Sequence, residues 1–175
     1  MFNPQLDIGQ VIDNQKLCSI FRCGPQGGMR KSNSTNTLVI IANYVKGIYH
    51  DKWIGGGLHY TGMGLYGNQD IDYMQNYTLN HAKELGIDVF LFQVMEERKY
   101  TYSGRVELVG SPYKEIQRDE NGQERSVWMF PVKPVPDNDV AKPWHYVFKN
   151  MEEYNAKGQN IDKVFNEFKK QNKGT

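Results

Sequence analysis

Gly55-Gly56-Gly57-Leu58-His59-Tyr60-Thr61-Gly62-Met63-Gly64 reads as a turn, a strand and a second tight turn. Consecutive glycines admit backbone conformations closed to other residues, and the aromatic and β-branched side chains between the turns favour an extended chain. The missing side chains at both ends also allow another backbone or a ligand to come close to Tyr60 and Thr61. The stretch is therefore a candidate site as well as a fold element.

Working outward, residues 37–42 (Thr37-Leu38-Val39-Ile40-Ile41-Ala42) form an uninterrupted, largely β-branched run, as a central strand buried on both faces would. The preceding residues 24–36 are rich in Gly, Ser and Asn and carry Arg30 and Lys31, which predicts a long mobile loop. Earlier still, Ile8, Val11, Ile12, Leu17 and Ile20 recur near the helical period, predicting one or two short helices over residues 8–21. In the other direction residues 70–85 lack Gly and Pro. They place Ile71, Met74, Thr78, Leu79 and Ala82 on one helical face, with Gly86 as the stop.

Strands are then expected over residues 88–94, 100–109 and 126–132, with a polar turn at residues 119–122 between the last two. Such a strand-rich middle predicts an α+β fold, a curved β-sheet or β-barrel flanked by helices. Pro131, Pro134 and Pro136 end it. Beyond Pro143, Val147, Met151, Tyr154, Ile161, Val164, Phe165 and Phe168 predict two short helices in an extension over residues 136–175 that follows a domain of residues 1–135.

The chain has 175 residues, enough for one sizeable core and short for two. No window is apolar enough for a membrane span, and residues 1–15 lack the basic flank and hydrophobic stretch of a secretory signal, so a cytoplasmic location is expected. Cys18 and Cys23 have no second pair or neighbouring His to complete a zinc site and are expected as buried or free thiols. With a net charge of +1, any face that binds nucleic acid must be a local cluster rather than the whole surface.

Several separated stretches, in order, resemble the SRA (SET and RING associated) family. Tyr60-Thr61-Gly62-Met63-Gly64 matches its Y-T-G-x-G turn, and Asn76-Tyr77-Thr78-Leu79 is similar to N-x-A-L with Thr in place of Ala. Tyr102-Ser103-Gly104-Arg105-Val106 resembles Y-D-G-x-Y, departing at Ser103 and Val106, and Val127-Trp128-Met129-Phe130 resembles V-W-x-[FY]. Thr37-Leu38-Val39-Ile40 stands where the family has S-[IL]-V-L, and Gly47-Ile48-Tyr49-His50-Asp51 resembles the G-G-Y-x-D-D segment that follows it. The residues from Gly28-Met29-Arg30 to His59-Tyr60-Thr61-Gly62 are also similar to SRA-like modules of bacterial HNH-type modification-dependent restriction endonucleases.

The resemblance implies a PUA-like fold and a module that flips a 5-modified cytosine, 5-methyl or 5-hydroxymethyl, out of double-stranded DNA. A base inside a duplex cannot be inspected all round, and extruding it costs a few kcal/mol. Stacking on aromatic faces returns about 1 to 3 kcal/mol per base. Tyr60 with Tyr49, or with Tyr44, would make the two walls. Asp51 precedes Tyr60 by the spacing the family keeps for its base-reading Asp; a carboxylate accepts from the cytosine N4 amino group and disfavours thymine, whose O4 is an acceptor. Thr61 and the backbone at Gly62 would donate to the remaining acceptors. Arg30, Lys31, Ser32 and Asn33 are candidate DNA contacts, through phosphates or in the gap left by the flipped base. Asn76 is read as holding the turn at residues 62–64 or capping its own helix.

No cofactor or metal is implied, and no catalytic residue. His50, His59, His81 and His145 are scattered, no phosphate-cradling Gly-rich loop with Lys and Ser or Thr occurs, and no nucleophile elbow is present. The chain alone is not expected to cut DNA, so a nuclease domain or subunit is the implied partner. Two other readings stay open: a PUA-like module for RNA, and an enzyme using Asp51 as acid or base on a free nucleotide or modified base.

Overall fold

A computed structural model describes residues 2–46 and 50–135. Among these residues nine strands make one mixed sheet: β1 (Val11–Ile12), β2 (Met29–Ser32), β3 (Thr37–Asn43), β4 (Lys52–Ile54), β5 (Gly57–Thr61), β6 (Asp88–Glu96), β7 (Lys99–Leu108), β8 (Tyr113–Arg118) and β9 (Glu124–Pro134). Three short helices accompany them, α1 (Asn14–Phe21), α2 (Gln75–Asn80) and α3 (Ala82–Leu85). The expected α+β class holds, as an open sheet and not a closed barrel. Its hydrogen-bonded path runs β2-β3-β6-β7-β9-β5-β4 without closing, with β1 on β7 and β8 on β9.

The apolar run of β3 is buried on both faces, as its composition predicts, although it lies second from the edge, antiparallel to β2 and parallel to β6. Its alternate residues feed two cores. Leu38, Ile40 and Ala42 join Leu58, Tyr60, Leu91, Val106 and Phe130 on one face. Val39 and Ile41 join Leu17 and Phe21 of α1 and Phe90, Phe92 and Tyr102 on the other. Burying large aromatic and aliphatic side chains on each face contributes roughly 1.5 to 3 kcal/mol apiece before the entropic cost of ordering them.

Three elements depart from the sequence expectation. Residues 24–36 are not one loop, because Met29–Ser32 pairs with β3 as strand β2. Residues 8–21 give one helix, started by the Asp13 side chain accepting from Lys16 N, and the residues before it pair with β7. The helix expected over residues 70–85 begins at Gln75 and breaks at His81, where the backbone leaves helical geometry (φ −110°, ψ 13°). Its stop at Gly86, a left-handed cap with φ 67°, is as expected. The helices expected after Pro143 lie outside the described residues.

Candidate nucleic-acid interface

The hairpin β4–β5 positions the site. Gly55 and Gly56 both have positive φ (57° and 79°), the requirement of a two-residue turn whose twist suits antiparallel strands. Lys52 therefore pairs with His59, and Asp51, one residue earlier, comes level with the end of β5. There Thr61 N donates to Asp51 Oδ1 at 2.7 Å. Asp51 keeps partial exposure, yet its carboxyl is enclosed: burial pushes it up to about 7, with the hydrogen bonds from Thr61 opposing the rise. A carboxyl poised there changes charge near neutral pH.

Tyr60, Thr61 and Gly62 line a cavity of about 990 Å³ together with Met29, Ile41 and Asn43. Tyr60 is only 4% exposed, and its hydroxyl reaches the carbonyls of Gly28 (2.9 Å) and Ile41 (3.1 Å), so the ring is a fixed wall. Gly62 leaves no room for a side chain. A Cβ there would meet Asn76 Oδ1 at 2.9 Å, Gln69 Oε1 at 3.0 Å and Phe130 at 3.1 Å.

Tyr49 lies outside the described residues. Tyr44 belongs to a core network instead: its hydroxyl donates to Gln93 Oε1 (2.7 Å) and accepts from Trp53 Nε1 (2.9 Å), and Gln93 Nε2 donates to Ser103 Oγ (2.8 Å). Burial, then the charge of Asp51, raise the Tyr44 phenol far above its ordinary range. Arg30 is 6% exposed and also lines the cavity, but its Nη1 donates to Asn14 Oδ1 (2.5 Å) and its Nε to Gly27 O (2.9 Å). Ser32 is buried and donates to Arg22 O, while Lys31 and Asn33 are exposed. Pairing of β2 with β3 alternates these side chains and removes the freedom a loop would have given them.

Asn76 holds the turn, as read from the sequence, and does not cap its helix. Its Oδ1 accepts from Met63 N (2.6 Å), and its Nδ2 donates to Met63 O (3.1 Å) and Asp70 O (3.0 Å). Sequence reading missed the partner of that clamp, Gln69, whose Nε2 donates to Gly62 O (2.7 Å) and Gly64 O (3.1 Å) while Oε1 accepts from Trp128 N (2.9 Å). It also missed Arg125, which donates through Nη1 to Gly64 O, and Gln117, whose Nε2 reaches Thr61 Oγ1 (3.4 Å) and Glu115 Oε2 (2.8 Å). Leu65, Tyr66 and Tyr73 stand exposed along the cavity wall, aromatic and apolar surface that is unusual to leave in water. Cys18 and Cys23 are free thiols, and burial together with Cys18 pushes the Cys23 thiol up to about 11.

The fold of this open mixed sheet is shared with solved SRA structures. The structure of the sulfur binding domain and SRA domain of ScoMcrA complexed with phosphorothioated DNA is 17% identical (TM-score 0.63), the likeness covering 76% of this chain and 41% of that one. KRYPTONITE in complex with mCHG DNA and SAH is 17% identical (TM-score 0.55), over 75% of this chain and 32% of that one. The SUVH5 SRA–hemi-methylated CG DNA complex is 21% identical (TM-score 0.56), over 76% and 91%. These likenesses define the fold as that of the SRA domains. The chain belongs to the ScoMcrA-like SRA domain family, matched over residues 8–155. It spans well under half the length of the ScoMcrA and KRYPTONITE chains it resembles. No curated protein matches it.

Proposed function

We propose that this chain reads a 5-modified cytosine flipped from double-stranded DNA. The observation that carries the reading is the conjunction at the end of β5: the Asp51 carboxylate bonded to Thr61 N, and Tyr60, Thr61 and Gly62 lining one wall of a cavity large enough for a nucleotide. Tyr60 supplies a rigid ring for stacking, Asp51 the acceptor for the N4 amino group, and backbone and hydroxyl donors near Thr61 the complement for N3 and O2. Tyr49 is the proposed second wall. The exposed Tyr66 and Tyr73 add stacking surface at the cavity, and Arg30 and Lys31 on β2, with Asn33 just after it, are the proposed phosphate or groove contacts.

The solved relatives named above hold methylated or phosphorothioated DNA, which supports modified DNA over RNA as the ligand. ScoMcrA is a phosphorothioation-dependent restriction endonuclease, so a cleaving module reached through residues 136–175 is the proposed partner. The test is a titration of the full chain into duplexes of one sequence carrying cytosine, 5-methylcytosine or 5-hydroxymethylcytosine at fixed salt. Tighter binding to a modified duplex, lost in Asp51→Ala while the fold persists, is the expected result. Equal affinity for all three duplexes would remove the reading.

A further inference from the structure

Arg125 is 3% exposed, and its Nε and Nη2 have no hydrogen-bond partner among the described residues. No carboxylate pairs with it among the described residues, and Nη1 alone is used, on Gly64 O. Taking a guanidinium out of water without a counter-charge is costly, and proteins keep such groups where something meets them. Across the β8–β9 ladder its partner is Gln117, whose Nε2 is committed to Glu115 and Thr61 and whose Oε1 is itself unpartnered. That is one acceptor against the three N–H groups of the free edge.

The two free nitrogens form the side-on edge of the guanidinium, two parallel donors that fit two oxygens of one oxyanion. The group lies against the stretch that rims the cavity: it holds Gly64 O, and the next residue, Ser126, donates through N to Asn68 Oδ1. Gly64 and Asn68 both line the cavity. Between them Leu65 and Tyr66 are exposed, with Tyr66 bonded to Glu120 on the β8–β9 turn.

We propose that Arg125 is a phosphate-binding residue: residues 65–67, between the held Gly64 and Asn68, swing aside as DNA docks, and the Nε/Nη2 edge grips a backbone phosphate of the bound strand. This rests on the DNA-reading function above. It separates two tasks, with Asp51 choosing the base and Arg125 fixing the strand that carries it.

Arg125→Met and Arg125→Lys in the full chain test it, titrated with one duplex, unmodified and 5-methylcytosine-containing, over about 50 to 200 mM salt. Met fills the buried volume without a charge, and a thermal melt checks the fold. Arg125→Met should weaken both duplexes by the same factor and make the slope of log affinity against log salt shallower by about 0.9, the value of one phosphate. Arg125→Lys should restore the slope but not the full affinity. As a second measurement, a methylphosphonate scanned along the strand should find one position that weakens the wild type and leaves Arg125→Met unchanged. Unchanged affinity and slope in Arg125→Met, or a scan with no such position, overturns the proposal, as does loss confined to the modified duplex. A wild type that binds both duplexes equally, with an Arg125-dependent slope, keeps the phosphate contact and overturns the base reader. A wild type that binds neither overturns both.

Discussion

Asp51 ties the site to pH. Its folded value near 7 stands above the ordinary 3.8, so between those limits the folded chain holds a proton that the unfolded chain has released. The stability this group contributes is complete below about pH 3.8 and is lost as pH rises through about 7. Asp51→Asn keeps an oxygen for Thr61 N and removes the charge. The urea midpoint of Asp51→Asn should therefore exceed that of the wild type by more at pH 8 than at pH 5. Parallel profiles would mean that the carboxyl is not desolvated. At this scale the sequence was most informative where a motif fixes a backbone role: Tyr60, Thr61 and Gly62 line the cavity, Asp51 meets Thr61, and Asn76 clamps the turn. Gln69 and Arg125 were not legible, because a glutamine near a turn and an arginine in a strand normally face water, and only the tertiary fold draws them under the loop.

Among the elements, β7 shows why a motif glycine matters. Leu91 of β6 pairs with Gly104 and Phe92 with Tyr102, so the register skips Ser103 and Gly104 takes φ 94°. This is a bulge with glycine in a backbone region other residues enter at a cost of about 1 to 3 kcal/mol. It also aims Ser103 into the network that fixes Gln93 and Tyr44. Gly104→Ala should lower stability by that amount, read as a drop in the denaturant midpoint with an unchanged slope; a neutral result would mean that the bulge relaxes. The long strands β3, β6, β7 and β9 were readable from their apolar and β-branched runs. The short ones, β1, β2, β4 and β8, were not. Two to six residues of mixed polarity carry no periodicity, and such strands exist because a longer neighbour offers its free edge.

For the whole molecule, an open sheet has to manage the edges that a barrel abolishes. On the side of β9 where β5 ends, Trp128 O accepts from Gly62 N and Ser126 O from Gln69 N, while Ser126 N donates to Asn68 Oδ1 and Trp128 N to Gln69 Oε1. Two side-chain amides thus do the work of a neighbouring strand. Replacing both, Asn68→Ala with Gln69→Ala, should leave two ladder donors exposed and produce concentration-dependent self-association in sedimentation, where the wild type should show none. The same two residues that cap the edge of β9 also shape the cavity wall, so on this prediction a change of target selected at positions 68 and 69 would be answerable to aggregation as well as to affinity.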